Sequence, residues 1–284
     1  VINNASKVTR KQSPSLSGMF ILHEGLLGVL KEKLELIDYS DLKDDQETLN
    51  FESENGWVGI TDKYWLAALI PDQEKSFKAI YTYDNGYIAY YRSLNATNVP
   101  GGETHTVDSQ IFIGAKEAKL IDRYKEDYGI YNFDLAIDWG WFYFLTKPLF
   151  NVIYFFSQLS GNFGLAIIYL TVITRIVFFP LANWSFVSMA KMKMLQPEMT
   201  RIKDLYKDDR TQQQQALMAL YKKEKVNPIS GCLPILIQIP FFFAIYKMLF
   251  VSIEMRHAPF YGWIQDLAAK DPTTIFNLFG LIPV

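Results

Sequence analysis

Arg175 is the side chain whose chemistry is most at odds with its surroundings. It lies inside Asn162 to Asn183, NFGLAIIYLTVITRIVFFPLAN. About 20 mostly apolar residues at ~1.5 Å each are long enough to cross a ~30 Å hydrocarbon core. An arginine near the middle of such a helix costs roughly 2.5–3.5 kcal/mol on insertion scales, so it ordinarily faces a bundle interior or a wet cavity. One chemistry that justifies the cost is holding a desolvated carboxylate in a polar cavity. The alternative is a structural arginine that snorkels or is paired; Asn183 lies roughly 12 Å along the axis, further than its stem comfortably reaches. Gln238 is the second such residue, within Gly231 to Ser252, GCLPILIQIPFFFAIYKMLFVS, beside Pro234 and Pro240. It either hydrogen-bonds across helices or lines the same cavity as Arg175. Lys247, near the far end, is expected only to snorkel.

No other chemistry is readable. The single Cys232 cannot form an internal disulfide, and His23, His105 and His257 are too far apart for metal-ligand spacing. Glu24, Asp62 and the histidines read as structural, because spacing assembles no nucleophile, base and orienting group. A net charge of −2 gives no sign of nucleic-acid binding. No cofactor is implied.

The elements that must carry these residues fall into two unlike parts. From Val1 to about Tyr131 the chain is polar and alternating, and from Trp139 onward apolar with one polar interruption. Trp57 to Ile60, Tyr64 to Ile70, Phe77 to Tyr83, Tyr87 to Arg92 and Thr104 to Ile113 predict strands of a β-sandwich, with a tight primed turn at Asp84-Asn85-Gly86. Asp41, Asp44, Asp45, Glu47, Glu52 and Glu54 read as a solvated loop and strand rim, and Ala115 to Asp127 as a short amphipathic helix. Trp141 to Ser160 is broken near its middle by Lys147-Pro148 and is rich in interfacial aromatics; topology favours a helix lying along the surface. The basic stretch from Asn183 to Asn227 is the cytoplasmic side. Met192, Leu195, Met199, Ile202 and Tyr206 form the seam of a first hairpin helix, and Thr211 with Gln214 caps a returning one that ends at Pro228. Glu254 to Thr274, with Trp263 and Pro272, is an outside loop, and the final ten apolar residues, ending at Val284, are too short to span. The chain opens on Val1 without a signal peptide, so it is expected to be a fragment.

Thr171-Val172-Ile173-Thr174-Arg175, Ser188-Met189-Ala190-Lys191-Met192, Leu195-Gln196-Pro197, Ala219-Leu220-Tyr221-Lys222, Val226-Asn227-Pro228, Gly231-Cys232-Leu233-Pro234 and Gln238-Ile239-Pro240 recur in order as in one family. Together they resemble the YidC family of membrane-protein insertases. Gly56 to Tyr64 and Phe133 to Trp141 are similar to the end of the large periplasmic domain of its Gram-negative members.

The resemblance implies a multidomain membrane protein in the bacterial inner membrane, multi-pass, with its amino-terminal domain in the periplasm. Residues 1–131 would be the carboxy-terminal part of an all-β periplasmic supersandwich, 132–161 a linker and interfacial helix, and 162–183 a transmembrane helix. Residues 184–229 would be a cytoplasmic helical hairpin, 230–252 a second transmembrane helix of the α-helical core, and 253–284 a periplasmic loop; an amino-terminal anchor and further helices are missing. Arg175 would be the groove arginine, with Thr171 and Gln238 as polar groove positions and Ile239 and Phe242 as client-contacting ones. Implied partners are nascent membrane-protein clients, lipid, the ribosome, the signal recognition machinery and the general secretion channel. The implied activity is insertion and chaperoning without covalent chemistry, so not that of an enzyme. Two other classes stay open: a sugar-processing enzyme, which needs a carboxylate and a histidine on one sandwich face, and a polytopic transporter with a carbohydrate-binding periplasmic domain.

Overall fold

The computed structural model describes residues 5–11, 22–45, 48–207, 209–224, 226–227, 231 and 233–269. Expectations on Glu47, Cys232, Pro228, Pro272 and the closing apolar stretch fall outside the described residues. The chain divides into one unit of residues 1–147 with 247–284 and another of residues 148–246.

The first unit is an antiparallel β-sandwich. One sheet has the order β1-β8-β7-β4 and the other β3-β2-β5-β6-β9. The strands are β1 (Ala5–Arg10), β2 (Gly25–Leu30), β3 (Lys33–Asp38), β4 (Leu49–Ser53), β5 (Gly56–Thr61), β6 (Trp65–Ile70), β7 (Phe77–Tyr83), β8 (Tyr87–Ser93) and β9 (Gln110–Ala115). Leu26, Val58, Ile60 and Leu69 meet Phe77, Tyr81 and Tyr91 between the sheets. On its other face the five-stranded sheet is covered as well. Trp57 stands edge-on to Phe133 at 5.5 Å, and Phe112 is edge-on to Phe133 and to Tyr124. Phe133 belongs to a 3-10 turn, Phe133–Ala136, and Tyr124 to helix α2 (Ala118–Asp127). Every residue of β2 and β5 is therefore buried, and their sequences lack the alternation of a one-faced strand. Gly28 is required here: a Cβ would come within 2.4 Å of the Tyr81 hydroxyl, which donates to the Leu27 carbonyl.

Three local expectations change. The β7–β8 loop has three residues between the paired Tyr83 and Tyr87, and of these only Asn85 has a positive φ, 48°. Asp41, Asp44 and Asp45 lie in a short helix, α1 (Tyr39–Asp45), rather than a loop, held by the buried Tyr39 and Leu42. Helix α3 (Tyr143–Ser160) runs unbroken through Lys147-Pro148. Pro148 sits in its second turn, where it removes the one ladder bond that its missing N–H would have given to the Phe144 carbonyl, and Lys147 pairs with Asp122 and Asp134 at 2.8 and 3.0 Å.

The second unit is helical. Helix α4 (Phe163–Met194) has 32 residues and continues past Asn183, where a boundary was expected; at ~1.5 Å per residue it is about 48 Å long. Helices α5 (Gln196–Leu205) and α6 (Arg210–Lys223) form the hairpin, and α7 (Leu233–Val251) follows. The expected seam holds: Met192, Leu195, Met199, Ile202 and Tyr206 are half-buried while their neighbours are exposed. The expected cap does not. Helix α6 starts earlier than Thr211, because the Asp209 carboxylate accepts from the backbone of Thr211 and Gln212, both at 2.9 Å.

Candidate functional site

Helix α4 is started by Asn162, whose side chain accepts from the Leu165 backbone at 3.1 Å. The apolar window of α4 has a mean hydropathy of 2.1, that of α7 1.8, and each is only 17% buried within the chain. A helix core in a water-soluble protein would be buried, so these apolar surfaces need another apolar environment. Arg175 lies twelve residues into α4, about 18 Å from Phe163. Thr171 is one turn earlier on the same face. The Thr171 and Thr174 hydroxyls are spent on the helix itself, donating to Ile167 and Leu170 carbonyls at 2.9 and 2.7 Å. Arg175 is exposed and forms no hydrogen bond or ion pair among the described residues. Its five N–H donors are thus available to an acceptor.

On α7, Gln238 is half-buried while Ile239 and Phe242 are exposed. Phe178 of α4 meets Phe241 of α7 edge-on at 5.3 Å, and Ser185 donates to the Gly231 carbonyl at 3.2 Å. These contacts make the helices antiparallel. Arg175 and Gln238 lie three residues to opposite sides of the ring contact, hence about 9 Å apart along the axes. Thr171 and Arg175 come together, as do Ile239 and Phe242 around Phe241; Gln238 is offset from Arg175 rather than opposite it. In the hairpin, Tyr221 Oη reaches Met199 Sδ at 3.8 Å. Met218 and Leu205 remain exposed.

Sequence reasoning missed a charged cluster in the first unit. Lys247 donates to Asp138 at 2.6 Å, where only snorkelling was expected. Nearby, Lys116 is 4% exposed and donates to Thr61 Oγ1 at 2.7 Å. Burial pushes its ammonium down to about 8, against the pull of Asp138, Asp62 and Glu24. Glu24 accepts from the Lys63 backbone, and Asp62 pairs with Arg10. No spacing rule could have joined Asp138 to a residue 109 positions later.

The β-sandwich also carries a cavity of about 450 Å³ over the rings of Phe77 and Tyr91, with Asp72, Glu74 and His105 on its rim. Asp72 is committed to Lys75 at 2.7 Å and to the Glu74 backbone. Among the described residues no cluster of histidine, cysteine and carboxylates could hold a metal.

Among the described residues, all nine strands and α2 lie within residues 2–152, and that stretch matches the model of the YidC periplasmic domain. The chain belongs to the YidC family. Residues 155–284 match the family described as 60Kd inner membrane protein, so the exposed apolar helices belong to a membrane-embedded chain. It is 54% identical over 98% of its length to the membrane protein insertase YidC of Pelagibacter ubique, covering 49% of that protein. It is 50% identical over 99% to that of Sinorhizobium medicae and 51% identical over 98% to that of Brucella suis, covering 48% and 46% of them. The chain thus spans about half the length of the curated relatives it matches. The YidC family is one of insertases, not a known enzyme family.

Proposed function

We propose that this chain supplies the outward β domain, two spanning helices and the cytoplasmic hairpin of a membrane-protein insertase of the bacterial inner membrane. The observation that carries the reading is Arg175, exposed and with no hydrogen bond or ion pair among the described residues, about 18 Å into an apolar helix. A client's short hydrophilic tail, often acidic, leaves bulk water for a cavity whose charge is Arg175 and whose polar wall includes Thr171 and Gln238. Its apolar segment meets Ile239 and Phe242 and partitions into lipid. Transfer of apolar surface at ~25 cal/mol per Å² drives release, and the guanidinium lowers the cost of the desolvated carboxylate. The hairpin, with Met192, Met199 and Tyr206 along its seam, receives chains delivered by the ribosome and the signal recognition machinery, and clients also pass from the general secretion channel. That the relatives are membrane protein insertases supports the activity.

Photocrosslinking from position 175 to a newly made membrane protein tests the reading, with client tails matched except for charge. Arg175→Lys keeps the charge but loses the planar fork. Insertion of acidic-tailed clients should survive Arg175→Lys and fall with Arg175→Ala, and neutral-tailed clients should lose little from either. A uniform loss that tracks folded yield, with no crosslink, means Arg175 is structural. The cavity on the β domain places carboxylates and a histidine on one face, as a sugar-processing enzyme would need. Turnover of a sugar by the β domain would favour that second reading.

A further inference from the structure

The end of α7 and the residues that follow it do not leave the β domain as a free loop. Met248, Val251, Ser252 and Met255 are each at most 3% exposed. Four contacts of charged groups surround them. Lys247 donates to Asp138 Oδ2 at 2.6 Å, and the same oxygen accepts from the His23 backbone at 3.1 Å while Oδ1 accepts from Gly140 at 3.1 Å. Gly140, at φ 75°, lets the Lys247 stem pass: a Cβ there would stand 3.2 Å from it. The Lys63 ammonium lies 3.7 Å from the centroid of the Phe250 ring, and the Arg256 guanidinium 5.7 Å from that of Tyr64. Finally, Glu254 accepts from the backbone of Ala118, the first residue of α2, at 2.9 Å. The N-cap residue of α2, Glu117, makes no side-chain cap bond, so the cap comes from a residue 136 positions away.

We propose that this socket is a positioning device: the β domain grips residues 247–256 and so sets the depth at which the client-facing residues of α7 sit in the membrane. Lys247 is five residues from Phe242 and nine from Gln238, about 7 and 13 Å along the helix, so a shift of the gripped end is passed to them by a short rigid lever. The inference rests on the reading that α7 crosses the membrane. Lys247 and Glu254 are positioning residues; neither touches the client.

The test places a fluorophore at Phe243→Cys, in a Cys232→Ser background, in the complete gene product. It is reconstituted in vesicles of phosphatidylethanolamine and phosphatidylglycerol, and quenching by lipids brominated at shallow or deep acyl positions reports depth. The parent should show one sharply preferred depth. Lys247→Gln combined with Glu254→Met should broaden and shift it, and should speed hydrogen exchange across 248–256 and the first turn of α2 by roughly fivefold to tenfold, the scale of a lost cap. Exchange in β2 and β5 should stay slow. Lys247→Arg should restore the parent depth, and Lys147→Gln, which breaks another ion pair of the domain, should not alter it. An unchanged depth, with or without faster exchange, overturns the proposal. So does loss of protection throughout β2 and β5, which would make the contacts merely structural. A label that no brominated lipid quenches shows instead that α7 does not cross.

Discussion

Lys116 carries a pH dependence that its burial makes calculable. Its ammonium titrates at about 8 in the folded chain against an ordinary 10.5. Below pH 8 both states hold the proton and the penalty of burying the charge is fully present. Between 8 and 10.5 the unfolded chain keeps a proton that the folded chain has released, so stability rises with pH across that window. The penalty is on the order of 3 kcal/mol. Lys116→Met should therefore raise stability below pH 8 by up to that amount and remove the wild-type excess of slope between 8 and 10.5. Urea unfolding followed by tryptophan fluorescence at a series of pH values measures both, and a variant with the parent's slope would refute the assignment. Lys116 and Arg175 also show what is legible at this scale. Arg175 is conspicuous because twenty apolar neighbours frame it in sequence. Lys116, Asp138 and Lys247 are ordinary in sequence, and only the fold makes one of them buried and two of them partners.

Secondary elements were legible where one face is wet. Strands β6 to β8 stand where β-branched and aromatic residues and the flanking turn residues place them, and the hairpin seam follows its 3-4-3-4 spacing; β5, buried on both faces, was marked by its composition and not by alternation. The β2–β3 hairpin was not legible, for two physical reasons. Its first strand, GLLGVL, is buried on both faces and has no period. Its two-residue turn is Lys31-Glu32, with φ of 50° and 66°, in place of the asparagine and glycine that announce a positive φ. The α5–α6 hairpin has the opposite character: a readable pattern and little burial, with no fully buried residue in either helix. Short helices draw most of their stability from packing, so this pair should open readily. Hydrogen exchange should be much faster across Met199–Lys222 than across Leu165–Phe179, and Asp209→Ala, which removes the cap of α6 at a cost of about 1 kcal/mol, should speed the first part of α6 further. Equal protection of hairpin and spanning helix would contradict this.

At the scale of the whole molecule, a parity argument bears on the proposed path of the chain through the bilayer. Residues up to Lys147 and from Lys247 onward belong to one compact unit, joined by Lys247 to Asp138 and by Glu254 to Ala118. Both stretches must therefore lie on the same side of the membrane, which requires an even number of crossings between them. If α4 and α7 cross as proposed, they supply two, and a crossing by α3 would make the number odd. Among the described residues only α4 and α7 are long and apolar enough to cross, and α3 keeps its first turns beside the β domain through Lys147. The surface placement proposed for Trp141 to Ser160 follows from that parity only if α4 and α7 both cross, and the proline break expected there does not occur. Cysteine accessibility tests it, with Cys232 replaced by serine. Ser157 is a poor probe, being 4% exposed; Gln158 is exposed and polar and takes its place. An impermeant maleimide added to spheroplasts should label Gln158→Cys and leave Lys207→Cys untouched until the membrane is opened. The reverse pattern, with Lys207→Cys labelled from outside and Gln158→Cys protected, would mean that α3 crosses as well, and the shared unit of residues 5–147 and 247–269 could then not persist in the membrane; labelling of both from one side would mean that α4 does not cross.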